Sequence, residues 1–512
     1  MELTAENRHQ FDREEFYGDF AITLGWQQNF SRSRLSSYFL NKCGSVNVGA
    51  NAASGAAAVS DIRASDLGLS TTFTGCAWLC PKYQDFIADF DLYLAWDEFV
   101  QGLWTELRIP FVHTRWNAGL GSSASDLGGT YYALDDNQTD FVVTSANDAP
   151  VEVVYTGSCA LSSALLGNCG FGDAPRLSAG KMVNCVRTQN GLGGIRLEIG
   201  YDFLRRERGS MGLALDVQFP AANKPCKCNN CDLFIFDPKV GSQHAWKIGG
   251  VLRAQYMLWD RDEKERIDFY FDGRAAGLFS GTTTRLVGLQ ANNCTLFNQY
   301  LLLDKFEVTS TSATYIGLER AANLLKYQVK NCSASVESQI TAMFQYKNGG
   351  FVGALGYNFF GRSAEKLSLC KCCCNCGDNY SYVIKGDLPV YTDADTDGGF
   401  YSPTDSDINQ TGTVVPLSQV VHANLLASTV TGAALNLSNC CGSCSTCGNG
   451  NITVCPATHP KYISNTIFGH LGYHWEDVDW KPYLGILGKV DIGSSNTALR
   501  LWGVYLKGGI CF

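Results

Sequence analysis

The segment Phe86-Ile-Ala-Asp-Phe-Asp-Leu-Tyr-Leu-Ala-Trp96 alternates between apolar and polar side chains. Its large apolar side chains fall mainly on one face, and Asp89 and Asp91 fall on the other. A period of two is typical of a β-strand with one face in an apolar environment. After a short polar break, Leu103 to Trp116 alternates in the same way, so the two segments predict a β-hairpin.

The same pattern recurs along the chain and predicts four more hairpins, a first strand and a last strand. The hairpins join Ile195–Phe203 to Met211–Phe219, Trp246–Leu258 to Ile267–Arg274, Ile340–Tyr346 to Phe351–Phe359, and Ile467–Trp475 to Tyr483–Ile492; the first strand is Asp19–Phe30 and the last is Leu499–Phe512. Strands of about ten residues are long enough to cross the hydrocarbon layer when tilted. The alternative, a soluble β-sandwich, usually has strands of about five or six residues.

The number of predicted strands is even, which allows the first and last strands to pair antiparallel and close a cylinder. We therefore predict an all-β fold, a transmembrane antiparallel up-and-down β-barrel of about 12 strands, with 12–16 allowed. Additional strand pairs are candidates in Asp140–Tyr155 and in Leu301–Tyr327.

Short turns alternate with long polar connections along this pattern, as in membrane barrels with brief periplasmic turns and long outer loops. We expect residues 1–16 to be a periplasmic segment and residues 17–512 a single barrel domain. The start of the chain lacks the basic and apolar regions of a secretory signal, so a signal peptide is expected to have been removed. Long outer loops are expected near residues 31–84, 117–191, 220–244, 280–337 and 361–465.

The chain has 22 cysteines, and most lie in three clusters among Gly, Asn, Ser and Asp, a composition typical of loops. This density favours an oxidising compartment and structural disulfides. Zinc is the alternative, because the CxxC pairs have zinc-ligand spacing, but the spacings are irregular. The disulfide candidates are Cys226, Cys228, Cys231, Cys370, Cys372, Cys373, Cys374, Cys376, Cys440, Cys441, Cys444, Cys447 and Cys455.

Charge and motifs exclude other functions. The net charge of −9 and pI near 5.4 argue against nucleic acid as a partner, which would need a basic surface. No GxSxG, Walker A or HExxH motif is present, so no enzyme is predicted, and no cofactor either. The acidic run Asp393 to Gly398 could supply oxygen ligands for Ca²⁺, but a solvated acidic loop is the simpler interpretation.

The chain ends Trp502-Gly-Val-Tyr-Leu-Lys-Gly-Gly-Ile-Cys-Phe512, with Trp502, Val504, Leu506, Ile510 and Phe512 in one register. This end resembles the terminal strand of bacterial outer-membrane porins, in which such residues are the signal for barrel assembly. The cysteine-rich loops also resemble the major outer-membrane proteins of chlamydia-like and legionella-like bacteria. These resemblances imply passive diffusion of ions and small hydrophilic solutes through a barrel in contact with outer-membrane lipid, with loops at the cell surface. They also imply a homo-oligomer such as a trimer, with disulfide or loop contacts between copies. Porin loops fold inward to constrict the pore, and by this resemblance the acidic segment Asp393 to Asp407 is a candidate constriction loop.

If the apolar faces meet lipid, the opposite faces line the lumen, and charges of both signs there suit a water-filled pore. Their acid excess indicates a mild preference for cations. Two alternatives remain: the charges pair and fill a narrow lumen, or the barrel only anchors a structural or adhesive surface protein. The predicted pore-lining residues are Asp85, Asp89, Asp91, Glu106, Arg108, Arg196, Glu198, Asp202, Asp216, Lys247, Arg253, Asp268, Asp272, Arg274, Lys489 and Lys507.

Overall fold

The fold is given by a computed structural model. It describes residues 16–40, 44–49, 62–63, 74–125, 161–170, 175–221, 233–235, 237–241, 245–261, 265–279, 282–289, 299–300, 302–308, 312–331, 335–372, 380–384, 414–416, 452–453, 457–476, 478, 480–494 and 498–512. Among these residues, no helix combines the length and the apolar character needed to span a bilayer.

Twelve long strands form the main sheet, and we number them in chain order. They are β1 Tyr17–Asn29, β2 Lys82–Ala95, β3 Leu103–Asn117, β4 Ile195–Arg206, β5 Gly209–Phe219, β6 Trp246–Arg261, β7 Glu265–Phe279, β8 Ser335–Asn348, β9 Phe351–Arg362, β10 Tyr462–His474, β11 Pro482–Gly493 and β12 Leu501–Cys511. Each pairs antiparallel with the next, and β1 pairs with both β12 and β2. The sheet is therefore a closed barrel, which confirms the predicted fold.

The closure between the two ends of the chain is continuous. Phe20 lies opposite Ile510, and the backbone of Phe512 exchanges two hydrogen bonds with that of Gly18, at 2.7 and 2.9 Å. A closed cylinder leaves no sheet edge, because each long strand pairs with a long neighbour on both sides. One further strand, Arg187–Leu192, pairs with the end of β3.

Side chains alternate strictly between the two faces of the barrel. Along β5, Leu213 and Leu215 are exposed, whereas Ser210, Ala214 and Asp216 are buried. The same alternation holds on the other long strands, where the outward positions are mostly Leu, Ile, Val, Phe and Tyr. The sequence pattern of period two therefore separates an apolar outer surface from a largely polar interior.

The long connections form a second layer of structure at one end of the barrel, which we call the cap. It contains helices Arg32–Leu40, Leu161–Leu165 and Ala321–Leu324; a four-stranded sheet of Ile62–Arg63, Ser45–Gly49, Thr74–Trp78 and Gly121–Ser125; a three-stranded sheet of Thr282–Leu286, Lys326–Asn331 and Leu367–Cys372; a four-stranded sheet of Tyr380–Ile384, Leu302–Val308, Ser312–Arg320 and Val414–Pro416; and the pair Gly288–Leu289 and Ile452–Thr453.

The cap corrects one prediction. The segment Leu301–Tyr327 does form strands, but they pair within the cap sheets and not within the barrel. These strands are too short to cross a bilayer, since Leu302–Val308 has only 7 residues. Leu302–Val308 pairs with Ser312–Arg320 of the same connection and with Tyr380–Ile384 of another. The second candidate, Asp140–Tyr155, lies outside the described residues.

The cap has its own hydrophobic core, separate from the barrel wall. Its members come from many connections and include Leu165, Val287, Tyr300 and Leu325, each with no exposed surface. Burying such side chains stabilises by about 1.5–3 kcal/mol each relative to exposure. The described parts of the long connections are therefore packed against one another and not merely solvated.

Candidate functional site

The structure places the predicted pore-lining residues on the inward positions of the long strands. Their neighbours in sequence, such as Phe86 and Phe90 beside Asp85, Asp89 and Asp91, are the exposed apolar residues of the outer face. The interior charges are not spread evenly. Most of them lie on the half of the barrel formed by β2 to β7.

Two arginines organise the centre of this half. Arg253 on β6 donates to Glu106 on β3 at 2.7 Å, to Glu198 on β4 at 2.6 Å and to Asp272 on β7 at 3.1 Å. Because β4 and β5 lie between β3 and β6, these bonds run across the inside of the wall. Arg274 on β7 donates to the other oxygen of Glu198 at 2.7 Å. All the residues bonded in this network are at most 14% exposed in their side chains.

Buried charges are tolerated when they are paired and hydrogen-bonded. Asp216 on β5 joins the same network through Arg274 at 3.9 Å and Arg196 at 3.5 Å. Asp202 on β4 accepts a hydrogen bond from the indole of Trp104 at 3.1 Å. These contacts fill the interior on this side, so the charged residues there form a packed layer.

Three other predicted residues form local pairs. Asp85 accepts hydrogen bonds from Gln27 and from the hydroxyl of Tyr83. Asp268 pairs with Arg266 at 2.6 Å, and Lys247 reaches across β7 to Glu337 on β8 at 2.6 Å. The bond between Gln27 and Asp85 thus joins β1 to β2, the Lys247–Glu337 pair joins β6 to β8, and the Asp268–Arg266 pair lies within β7.

The interior also carries aromatic rings that the sequence pattern did not predict. Trp104, Phe468 and Tyr505 lie on inward positions, each directly opposite a glycine on the neighbouring strand: Gly200, Gly356 and Gly25 respectively. A Cβ at any of these glycines would meet the ring at 2.1–2.2 Å, so each ring lies over its glycine against the wall. The sequence contains both partners of each pair, an inward glycine on one strand and an inward ring on the next. They can be matched only when the register between the two strands is known.

A cavity of about 310 Å³ remains open inside the barrel, lined by residues of β1 to β5, β11 and β12 and by Gly193 and Gly194. Six of the predicted residues line it: Asp89, Asp91, Arg108, Arg196, Lys489 and Lys507. The other lining residues are Thr23, Gln27, Ile87, Pro110, Val112, Gly193, Gly194, Gln218, Leu487 and Tyr505. The walls of the cavity thus combine charged, neutral polar and apolar side chains. Its volume falls in the range of about 300–1,000 Å³ typical of small-molecule sites.

The charged groups of the cavity come from both sides of the barrel. Arg108 on β3 contacts Asp89 at 2.6 Å and Asp91 at 3.8 Å, both on β2. Lys489 on β11 pairs with Asp491 at 3.2 Å and lies 5.4 Å from the ring of Tyr505. Lys507 on β12 lies 5.5 Å from the ring of Tyr483. Ammonium groups over aromatic faces are stabilised by the ring quadrupole.

The barrel wall is irregular where it meets the cavity. β3 pairs with β4 as far as Arg108 and then, beyond Pro110, with the strand Arg187–Leu192. Gly193 and Gly194 span the break, and Gly194 has φ +130, a conformation that favours glycine. Gln218 donates to the carbonyl of Gly193 at 3.2 Å. The break exposes backbone to the cavity and adds polar groups that no side-chain pattern could indicate.

A rim cluster joins the barrel to the cap. Glu365, just after β9, accepts from Arg285 at 2.6 Å and from the backbone N–H of His459 at 3.1 Å. Burial alone would raise the pKa of Glu365, but hydrogen bonds and charge from His459 and Arg285 outweigh it and hold that pKa well below its usual range. Arg285 also donates to the carbonyl of Ala457 at 2.7 Å. The cluster therefore ties together two connections, the one between β7 and β8 and the one between β9 and β10.

The cysteine and calcium predictions lie outside the described residues, except that Cys370 and Cys372 belong to a cap strand whose cysteine side chains are not described. Among the cysteines that are described, Cys76, Cys80 and Cys185 are free, the thiol of Cys511 contacts the carboxylate of Asp19, and Cys169 is disulfide-bonded. The described part of the chain holds no group of three or more His, Cys, Asp or Glu side chains suited to a metal ion.

The terminal residues Trp502, Val504, Leu506, Ile510 and Phe512 share the outward face of the last strand. Val504, Leu506 and Phe512 are exposed, and Trp502 packs edge-on against Trp26 of β1, with ring centroids 5.0 Å apart. The register of these residues is therefore the one that the sequence indicated. Their role in assembly remains a prediction.

No protein-family model matches the chain, and no curated protein matches it. Among solved structures, an outer membrane channel from Pseudomonas putida F1 is 10% identical with a TM-score of 0.35, and both chains are covered in full. The transport unit of the autotransporter AIDA-I from Escherichia coli is 5% identical with a TM-score of 0.27, over 100% of this chain and 92% of the other. The CymD monoaromatic hydrocarbon channel is 8% identical with a TM-score of 0.23, over 96% and 87%. Scores this low carry no argument about function, and the barrel is established by its own strand pairing.

Proposed function

We propose that this protein is a narrow porin of a bacterial outer membrane, through which ions and small hydrophilic solutes diffuse passively. One observation carries the proposal: a closed barrel has apolar side chains on its outside and charged side chains around a cavity on its inside. That distribution is the inverse of a water-soluble barrel and suits acyl chains outside and water within.

The outer face supports the membrane location. Leu213, Ile467 and Leu471 are each more than half exposed, and similar residues surround the barrel. Apolar surface removed from water stabilises by about 25 cal/mol per Å², so a continuous belt of such residues favours contact with lipid. In this orientation the short turns lie in the periplasm and the cap lies at the cell surface.

The interior supports a narrow bore. Twelve strands leave limited space between walls that carry large side chains, and the packed layer around Arg253 occupies one half of the barrel. The solutes expected to pass are therefore inorganic ions and small polar molecules that fit beside that layer.

The experiment is reconstitution of the purified, folded protein in planar lipid bilayers. We expect discrete current steps of uniform size in KCl, because each inserted barrel opens one water-filled path. Heat-unfolded protein added at the same concentration is the control and should give no steps. Folded protein that inserts into vesicles but gives no steps would overturn the porin proposal.

A second candidate is supported by the packed layer itself. Glu106, Glu198 and Arg253 are nearly inaccessible, as expected of an interior that is filled and serves only to anchor the cap in the membrane. In that case the protein would be a structural or adhesive surface protein. Insertion into vesicles without current is the result that would favour it.

We also propose that the cysteine clusters form disulfides within the surface loops or between copies of a homo-oligomer. The bonded state of Cys169 supports an oxidising location. Electrophoresis of unheated and heated protein, with and without reductant, tests this. Identical mobility in all reductant conditions would contradict crosslinking in either form.

A further inference from the structure

The charge around the cavity differs from the charge of the barrel interior as a whole. The predicted inward residues contain more acids than bases, which by itself indicates a preference for cations. Of the charged side chains that line the cavity, however, four are basic and two are acidic: Arg108, Arg196, Lys489 and Lys507 against Asp89 and Asp91.

The carboxylates in and near the cavity are paired with basic side chains. Both lining acids lie within 4 Å of Arg108, at 2.6 and 3.8 Å. Asp216 and Asp491 pair with Arg196 and Lys489, at 3.5 and 3.2 Å, but neither lines the cavity. Most of the remaining inward acids belong to the packed layer, among them Glu106 and Glu198, whose side chains are 1% and 0% exposed. A solute in the cavity therefore meets more cationic donors than carboxylates.

These donors converge from facing walls. Arg196 lies on β4 and Lys489 on β11, with β3, β2, β1 and β12 between them, so the two strands are nearly opposite in a barrel of twelve. Guanidinium groups present a planar set of N–H donors, and ammonium groups three more. Such donors from two sides match the two acceptor oxygens of a carboxylate, each of which accepts more than one hydrogen bond.

We propose that the cavity binds small carboxylate-bearing anions and gives the channel a preference for anions over cations. The preference for anions rests on the proposed porin function, whereas the binding of a carboxylate in the cavity does not depend on it. The hydroxyl of Thr23 on the same surface is a further neutral donor for a dicarboxylate.

The first test uses current. With a tenfold KCl gradient across the bilayer, the reversal potential of wild-type channels should have the sign of chloride selectivity, and succinate on one side should reduce the chloride current. The double variant Lys489→Gln with Lys507→Gln should lose the anion preference and need at least about fivefold more succinate for the same block, as expected when charge-assisted hydrogen bonds are lost. The matched control, Lys326→Gln with Lys330→Gln, removes two charges from the cap and should leave both measurements unchanged.

The second test does not need a current. Calorimetric titration of succinate into folded protein in detergent should show saturable binding that the Lys489/Lys507 variant loses and the cap variant keeps. Channels with a cation-selective reversal potential, or wild-type protein that does not bind succinate, would overturn this inference and leave the porin in place. Succinate binding without current steps would support the site and overturn the porin.

Discussion

The barrel and the cap are stabilised in opposite ways. In the barrel, almost every long strand is held by ladders to its neighbours, its apolar side chains point outward, and its buried side chains are largely polar. In the cap, the strands are short, and apolar side chains such as Leu165 and Val287 are fully buried in a core. A membrane barrel therefore carries, on one end, a small region built on the rules of a water-soluble protein.

The largest expected effect is the loss of stability of the cap when a residue of its core is truncated. Leu165→Ala should destabilise the cap by about 2–5 kcal/mol, because truncation of a fully buried leucine leaves a cavity. Amide hydrogen exchange, resolved by segment, should show lost protection in the cap and unchanged protection in the barrel strands. Leu213→Ala on the outer face is the control and should leave cap protection intact. Equal loss of protection in barrel and cap would mean that the two regions unfold as one.

The next effect concerns the outer face. Leu213 lies near the middle of β5 and is 56% exposed. Leu213→Arg should destabilise the folded barrel in lipid vesicles by about 2–4 kcal/mol, the cost of a cation at the centre of a bilayer. Val186→Arg, at an exposed position outside the long strands, should cost less than about 0.5 kcal/mol. Urea unfolding followed by tryptophan fluorescence measures both. Equal effects of the two variants would argue against lipid around β5.

The smallest effect lies where the two regions meet. Glu365→Gln should weaken the attachment of the cap by about 1–3 kcal/mol, because it replaces charge-assisted hydrogen bonds to Arg285 with weaker ones. Segment-resolved hydrogen exchange at neutral pH measures the loss, with Glu337→Gln inside the barrel as the comparison. If the amides of residues 282–286 and 457–459 exchange as slowly in Glu365→Gln as in the wild type, Glu365 does not hold the cap to the barrel.

The same residue predicts a dependence on pH. The pKa of Glu365 is lower in the folded protein than the value of about 4.3 expected when unfolded. Its contribution is therefore fully present above that unfolded value and is lost as the pH falls through the folded pKa. Cap protection in the wild type should decline below about pH 4, and the difference from Glu365→Gln should shrink there. Parallel curves at all pH values would contradict the assignment.

Sequence reasoning succeeded for the barrel because its signal is local. Five hairpins, the first strand and the last strand were predicted from alternation alone, and the inward positions of residues such as Glu198 and Arg253 followed from the same parity. It failed for Leu301–Tyr327, because the strands of this segment pair within a cap sheet and not within the barrel. It also did not predict the inward rings, because Phe468 and Tyr505 fit only where the register supplies Gly356 and Gly25.

The amino-acid sequence by itself determined where twelve long strands lie and the face on which each of their side chains lies, because both depend on a period of two between covalent neighbours. It left the total at 12–16, and the strand pairing fixed it at twelve. Only the tertiary structure decided which charges pair and which face the cavity, since Arg253 meets Glu106 across 147 residues. It also decided that the connections form a cap with a core, because that core gathers side chains from segments as distant as Leu40 and Ala457. The cap core can form because the strands of the closed barrel run alternately up and down, so that all the long connections lie at the same end of the barrel.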